Sequence, residues 1–257
     1  MNRQSVRKTL EDVQKRIAAR GGVSGLKTVV DLVLVIDGTS SMTNLMDSVK
    51  EIAMTMHAHF RDKLAAKMRI ADKIRVKVIV FRDVYCGDPV PFQESEFFTL
   101  QADGQGDEKA FRDYVASVEA IGGGDIPENA LEALHLAMNT DFQVPQQGWK
   151  SRQLIVMLTD APAHDLKDPR RAELLADQMK ASGYPAGVPA DLQGLRIEWD
   201  EKLDAASRRL LIFAPQASPW NEISTWPDVY FVPSQAGVGI DRAKFEQVTG
   251  TIAGSLS

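Results

Sequence analysis

The spacing of apolar residues divides the chain into strands that alternate with helices. The clearest segment is 29–36, in which Val, Ile and Leu occupy both faces of an extended chain for most of its length. This pattern is typical of a central parallel strand that is covered on both sides. Similar runs predict further strands at 74–81, 153–158, 209–214 and 229–232, and a short edge strand at 97–100.

Apolar residues at helical spacing fill the intervals between these strands. The predicted helices lie at 45–60, 107–120, 129–138, 168–182 and 199–208, and a last helix begins at Asp241. Glycine and proline predict a surface loop over 183–189. Strands that alternate with helices indicate an α/β fold of three layers. We expect an open, mostly parallel sheet with one short antiparallel edge strand, flanked by helices on both faces.

The first residues predict an amphipathic helix that is separate from this sheet. Apolar residues recur at helical spacing within a highly charged segment, and Gly21 and Gly22 stop the pattern. We therefore expect an N-terminal helix over 1–22 and a single domain over 23–257. Two roles remain open for the helix: it packs on the domain, or it docks a partner or pairs as a short coiled coil. Its apolar positions are Val6, Leu10, Val13 and Ile17.

Composition and charge exclude several classes of protein. The chain has 257 residues and a net charge of −5 without any block of Lys and Arg, so a nucleic-acid surface is not indicated. No segment reaches the roughly 18 consecutive apolar residues that a membrane span needs. Cys86 is the only cysteine, which excludes an internal disulfide and a thiolate zinc cluster. A reducing compartment and the lack of a secretory pattern lead us to expect a cytoplasmic protein.

The first candidate site residues follow the end of the central strand. Asp37, Thr39 and Ser41 alternate with two small residues, so one turn can present a carboxylate and two hydroxyls to a single point. Hard oxygen donors of this kind suit Mg²⁺ or Mn²⁺. The same residues also occur in ordinary turns, so this pentapeptide alone leaves both interpretations open.

Two later segments add acidic side chains at the same edge of the sheet. The segment 121–128, IGGGDIPE, places Asp125 beside three glycines, where it either binds an ion or caps the following helix. The strand 153–158 leads into Asp160. Because sites in open parallel sheets form beyond the carboxyl ends of the strands, topology predicts that these positions converge with Asp37.

Together the three segments resemble the metal-ion-dependent adhesion site of von Willebrand factor A domains. Residues 37–41 are similar to its Asp-x-Ser-x-Ser signature, 122–128 resembles the Gly-Gly-Gly-Asp-x-Pro-Glu loop of a bacterial and integrin-β-like branch, and 160–162 matches the Asp-Ala-Pro form of its last metal loop. The resemblance extends over about 28–257. It implies that one Mg²⁺ or Mn²⁺ ion is bound by Asp37, Thr39, Ser41, Asp125 and Asp160, with Glu128 as the alternative to Asp125.

The resemblance implies binding rather than catalysis. The expected function is that of an intracellular, bacterial adaptor in which an acidic side chain of a partner protein completes the metal shell. Relatives in this branch work beside AAA+ ATPases, kinases or other components encoded with them. One departure matters, since Asp125 stands where the commoner branch has threonine, and a third carboxylate makes the site formally negative. Asp83, after the second strand, is expected to be a surface residue or a structural cap.

Two alternatives belong to other classes. A Mg²⁺-dependent phosphohydrolase of the haloacid-dehalogenase type also places aspartate at the ends of parallel strands, but its general acid would be a second aspartate at the position of Thr39. The other alternative is a structural subunit that keeps the fold and binds no metal.

Overall fold

The computed structural model describes residues 27–66, 71–88, 90–101, 106–124, 126–143, 149–177 and 183–234. The predicted helix over 1–22, the predicted helix from Asp241 and the candidate ligand Asp125 lie outside the described residues. No helix within these ranges is both long and apolar enough to cross a membrane.

In the described part of the chain, seven strands form one sheet around the predicted central strand, β1 (Lys27–Asp37). β2 (Ala71–Phe81) lies on one side of β1, and β5 (Trp149–Leu158), β6 (Arg208–Ala214) and β7 (Val229–Pro233) follow in that order on the other side, all parallel to β1. Two short segments, β3 (Phe92–Glu94) and β4 (Phe98–Leu100), pair antiparallel with β2 and form the edge where one strand was predicted. The mostly parallel α/β prediction is therefore confirmed.

Helices cover both faces because β1 carries apolar side chains on both. The described helices are α1 (Met46–Ala66), α2 (Glu108–Ser117), α3 (Ala130–Met138), α4 (Pro169–Ala176), α5 (Leu192–Lys202) and α6 (Trp220–Ile223), and a 3₁₀ helix (Ser40–Asn44) precedes α1. On one face of β1, Val30, Leu32, Leu34 and Ile36 pack into the core with α1 and α2. On the other face, Val33 and Val35 pack with α3, α5 and α6.

The largest error of the sequence prediction concerns the helix placed at 199–208. The helix is α5, which begins seven residues earlier, because the carboxylate of Asp191 accepts a hydrogen bond from the backbone N–H of Gly194 at 2.9 Å and caps its first turn. Leu195 and Trp199, one turn apart, are both buried on the face toward the sheet. Arg208 already belongs to β6. The predicted helix at 168–182 likewise ends at Ala176.

A buried charge pair holds the amino end of β1. Asp31 is inaccessible to solvent and accepts two hydrogen bonds from Arg75 on β2, one from Nε at 2.8 Å and one from Nη2 at 2.6 Å. It also accepts from the backbone N–H of Gln143 at 2.6 Å. Every oxygen of this carboxylate thus has a donor, as burial of a charge requires.

The carboxyl end of β1 lies at the switch point of the sheet. The chain passes from β1 to β2 on one side and returns to β5 on the other, so the loops after β1 and β5 leave from neighbouring strands in opposite directions. Such a point forms a crevice, and it is where open α/β sheets bind ligands.

Candidate metal centre

Asp37 is the last residue of β1 and is completely buried. One oxygen, Oδ1, accepts hydrogen bonds from the backbone N–H of Thr39 at 2.9 Å and from its hydroxyl at 2.6 Å. The other, Oδ2, accepts from the hydroxyl of Thr159 at 2.6 Å. Asp37 is therefore held by hydroxyls and a backbone amide, whereas Asp31 on the same strand is held by a guanidinium.

Ser41 and Asp160 complete a chain of oxygen contacts across the switch point. The hydroxyl of Ser41 lies 3.1 Å from that of Thr39 and donates a hydrogen bond of 2.8 Å to Oδ1 of Asp160. Asp160 follows β5, so this contact joins loops that are 119 positions apart in sequence. The structure thus brings together four of the predicted site residues: Asp37, Thr39, Ser41 and Asp160.

The sequence interpretation did not single out Thr159, although it orients Asp37. Its hydroxyl donates to Asp37 and accepts from the backbone N–H of Ala161 at 3.1 Å, so it fixes both the carboxylate and the following turn. The indole of Trp220 donates to the carbonyl oxygen of Ala161 at 3.0 Å and holds the same turn from the other side. The sequence did contain a signal for Thr159, because a hydroxyl residue directly follows a strand that was predicted to lie near β1.

The glycine-rich loop is hydrogen-bonded to the turn after β1. The carbonyl oxygen of Gly122 accepts from the backbone N–H of Ser40 at 3.1 Å and from its hydroxyl at 2.7 Å. Gly122 has a φ of +72°, and a Cβ there would lie 2.0 Å from an oxygen of Asp88. Only glycine fits this conformation and this space. Asp88 in turn accepts from the backbone N–H of Gly123 at 3.0 Å.

Glu128 lies near Thr39 and beside Gly123 of the glycine-rich loop. Its side chain is buried, and a Cβ built on Gly123 would lie 3.3 Å from Glu128 Oε1 and 3.1 Å from the Cβ of Thr39. Its backbone N–H donates to the carbonyl oxygen of Pro162 at 3.0 Å, which ties the helix α3 to the loop that carries Asp160. The position fits the predicted alternative ligand, while Asp125 itself lies outside the described residues.

Asp83 was expected to be a surface residue or a structural cap, and the first of these two expectations is wrong. It is completely buried, because β2 ends beneath the loop that follows it. Its Oδ1 accepts from the backbone N–H of Tyr85 at 2.7 Å, and its Oδ2 accepts from the thiol of Cys86 at 3.0 Å. Nε2 of His164 lies 3.5 Å from Oδ1. Asp83 therefore caps the turn after β2, as the other half of the expectation states.

The electrostatics of the centre are dominated by the burial of Asp37. Burial raises the pKa of Asp37 from 3.8 to about 6, although the hydrogen bonds from Thr159 and Thr39 oppose the shift. The nearby charge of Asp160 raises the pKa further. A cation placed beside such a carboxylate would stabilise its ionised form.

The oxygen set fits a hard divalent cation. The hydroxyls of Thr39 and Ser41 each donate a proton to a carboxylate, which leaves their lone pairs to face an ion. The carboxylates of Asp37 and Asp160 each accept a hydrogen bond from one of these hydroxyls, and a Mg²⁺ ion bound here would keep part of its hydration shell. Within the described ranges no group of three or more His, Cys, Asp and Glu side chains is placed to hold a metal ion, and the candidate centre combines two carboxylates with two hydroxyls.

Mg²⁺ is expected to stabilise the protein less as the pH falls below 6. In the metal-free protein, the raised pKa of Asp37 adds stability that is fully present below the unfolded-state pKa of 3.8 and is lost as the pH rises through about 6. Mg²⁺ requires the ionised carboxylate, so its affinity should fall by up to about tenfold per pH unit below that point. Melting temperatures at pH 5.0, 6.0 and 7.5, with Mg²⁺ and with EDTA, measure the difference. An equal Mg²⁺-induced rise at all three values would contradict the involvement of Asp37.

Comparisons with known proteins bear on the fold and on part of the chain. A family model described as a von Willebrand factor A domain matches residues 89–182, a segment that contains the glycine-rich loop, Glu128 and Asp160. The search of curated proteins finds no match. Among solved structures, the pilus adhesin SpaC from Lactobacillus rhamnosus GG is similar, with a TM-score of 0.52 and 11% sequence identity over 89% of this chain. The chain spans 30% of that adhesin, and the likeness shows a shared fold.

Proposed function

We propose that this chain is a von Willebrand A-type adaptor that binds Mg²⁺ or Mn²⁺ at the candidate metal centre and recruits a protein through the bound ion, without catalysing a reaction. The observation that carries the proposal is the direct contact between Ser41 and Asp160, at 2.8 Å. It joins the loops after β1 and β5, and a hydroxyl that is orientated by a carboxylate from another loop is a suitable ligand for a hard cation.

The proposed ligands have separate roles. Thr39 and Ser41 bind the ion directly, and Asp37 and Asp160 bind it directly or through water. With these two carboxylates a divalent ion gives a formally neutral site, which accepts one more carboxylate from a partner. Asp125, or Glu128 in its place, makes the loaded site formally negative and weakens the attraction for that last acid. The partner must therefore gain binding energy from contacts beyond the ion.

The surface around the centre favours a protein as the ligand. Ile121 and Ile126 flank the glycine-rich loop and are 48% and 66% exposed. Isoleucines this exposed at the two ends of the glycine-rich loop provide apolar surface, which a macromolecular partner can bury and a small ion cannot. By analogy with the bacterial branch, an AAA+ ATPase, a kinase or another component encoded with this chain is the kind of partner we propose.

Replacing Ser41 by alanine should weaken Mg²⁺ binding by about tenfold, which corresponds to roughly 1.4 kcal/mol. The change removes one direct oxygen ligand and the donor to Asp160, but the side chain is exposed, so folding should be unaffected. Thr55→Ala is the matched control, because its hydroxyl is bonded to a carbonyl oxygen of α1. Calorimetric titration with Mg²⁺ measures the affinity of the two variants and of the wild type.

The same variants test recruitment. Immobilised wild type and Thr55→Ala should retain the same proteins from cells of the source organism in Mg²⁺, and lose them in EDTA. Ser41→Ala should retain them poorly at a Mg²⁺ concentration near the wild-type Kd. If the wild type, Thr55→Ala and Ser41→Ala all retain the same proteins, and EDTA does not release them, the metal centre is refuted as the recruiting surface.

A further inference from the structure

A cavity of about 280 Å³ lies at the same edge of the sheet as the metal centre. Its volume is at the lower limit of the roughly 300–1,000 Å³ typical of pockets for cofactors and drug-sized ligands, so it suits a single side chain. One wall is the loop after β5, which carries Asp160 at its start and contributes Ala163 and Asp165 to the cavity. The other walls are the beginning of α5 and the turn into α6.

The lining of the cavity is apolar where it is buried and polar where it is exposed. The apolar part, called the floor below, consists of Leu131 of α3, Ala163, Leu192 of α5 and Pro219. Leu131 and Ala163 are buried, so this floor belongs to the packed core and is shaped before any ligand binds. An aliphatic chain that enters the cavity would replace water against these residues, which is favourable.

The rim of the cavity carries uncompensated negative charge. Lys167 forms an ion pair with Asp191 at 3.3 Å, and the pKa of Asp191 is lowered by its backbone hydrogen bond to Gly194 and by Lys167, so these two charges offset one another. Asp165 and Glu222 remain on the rim. Within the described part of the chain, neither forms an ion pair with Lys, Arg or His.

We propose that this cavity binds the arginine or lysine side chain of the protein recruited at the metal centre, an inference that rests on the proposed function. The aliphatic stem packs on the apolar floor, and the cationic head lies between Asp165 and Glu222. Among the natural side chains, only arginine and lysine combine a long apolar stem with a permanent positive charge.

The cavity and the metal centre are rigidly connected. The turn that carries Asp160 is bonded through the carbonyl oxygen of Ala161 to the indole of Trp220, and Trp220 lies in the same short helix as Glu222. Trp220 is completely buried, so the spacing between the two sites is fixed by core packing. A partner segment whose acidic and basic side chains are spaced like the two sites would bind the metal centre and the cavity together. Because the second contact is then intramolecular, the overall affinity would rise.

The test is a nuclear magnetic resonance titration of the full chain with n-butylguanidinium, a probe that reproduces the end of an arginine side chain. n-Butylurea, of similar shape and without charge, is the reference. We expect n-butylguanidinium to shift the backbone amides of residues 163–167, 191–193, 218 and 220–222, with about fivefold higher affinity than n-butylurea. The double variant Asp165→Asn/Glu222→Gln should reduce its affinity to that of n-butylurea. Glu201→Gln, an exposed substitution at the other end of α5, should leave it unchanged.

Equal affinity for the two probes, or an affinity that the double variant does not change, would overturn the proposal. Shifts confined to residues 37–41 and 159–160 would also overturn it, since the probe would then bind at the metal centre. Repeating the titration with Ser41→Ala separates the two hypotheses, because that variant should bind n-butylguanidinium like the wild type. If Mg²⁺ fails to bind the wild type while the probe binds in the cavity, the proposed function fails and the cation-binding cavity stands.

Discussion

Replacing Asp37 by asparagine should abolish the stabilisation by Mg²⁺ and leave the metal-free protein at least as stable as the wild type at pH 7.5. The wild type should gain about 2.7 kcal/mol when Mg²⁺ is at 100 times its Kd, or roughly 5–10 °C in melting temperature. The variant should gain nothing, because a neutral amide is a poor ligand for Mg²⁺. Thermal unfolding in EDTA and in excess Mg²⁺ measures both effects.

The metal-free half of this prediction follows from the burial of Asp37. Burial raises the pKa of Asp37 because its charge is unfavourable in the metal-free folded protein, and asparagine removes that charge. Asparagine Oδ1 keeps the two donors from Thr39, and the hydroxyl of Thr159 can turn to the carbonyl oxygen of Ala161, which lies 3.5 Å away. A variant that unfolds in EDTA, or that still responds to Mg²⁺, would contradict this account.

Replacing Asp31 by alanine should destabilise the protein by roughly 3–5 kcal/mol and leave its response to Mg²⁺ unchanged. The substitution leaves Nε of Arg75 and the backbone N–H of Gln143 without their acceptor in a largely buried place, and Nη2 of Arg75 keeps only the carbonyl oxygen of Asp141. Asp31 lies six residues before Asp37 on one strand, a distance of about 20 Å, so the metal centre should not be affected. Urea unfolding with and without Mg²⁺ measures the two quantities separately.

Two controls identify the cause of that loss. Asp113→Ala breaks an exposed ion pair with Lys109 on α2 and should change the stability by no more than about 0.5 kcal/mol. The double variant Asp31→Leu/Arg75→Met removes both buried charges and should recover much of the loss. If the double variant is as unstable as Asp31→Ala, the damage comes from packing and not from an unpaired charge.

The strands were predictable because burial on both faces leaves a direct trace in the sequence. In each of the predicted segments 29–36 and 153–158 every position but one is apolar, and these segments lie inside β1 and β5. The edge was less predictable, since β3 and β4 have three residues each and are held by pairing with β2 rather than by their own composition. The start of α5 depends on a capping side chain, Asp191, whose contact with Gly194 is not apparent from periodicity.

The same distinction applies to the candidate centre. Topology alone predicts that the ends of β1 and β5 are adjacent, so the approach of Ser41 to Asp160 could be anticipated. The side chains that donate hydrogen bonds to the buried carboxylate of Asp37 could not be predicted, because Thr159 was one of several hydroxyl residues near the strand ends. The burial of Asp83 was also hidden, since it depends on how the loop after β2 folds over its own carboxylate. Metal occupancy stays a prediction.

The separation of the site residues along the chain has a consequence during protein synthesis. Thr159 and Asp37, which share a hydrogen bond, are 122 positions apart, and the strand that brings Thr159 into place is β5. A nascent chain that has left the ribosome only as far as β4 already displays Asp37, Thr39 and Ser41, yet it has no Thr159 or Asp160 to orient them. Ion capture, and with it the recruitment of a partner, would therefore begin only after translation has delivered the far side of the sheet.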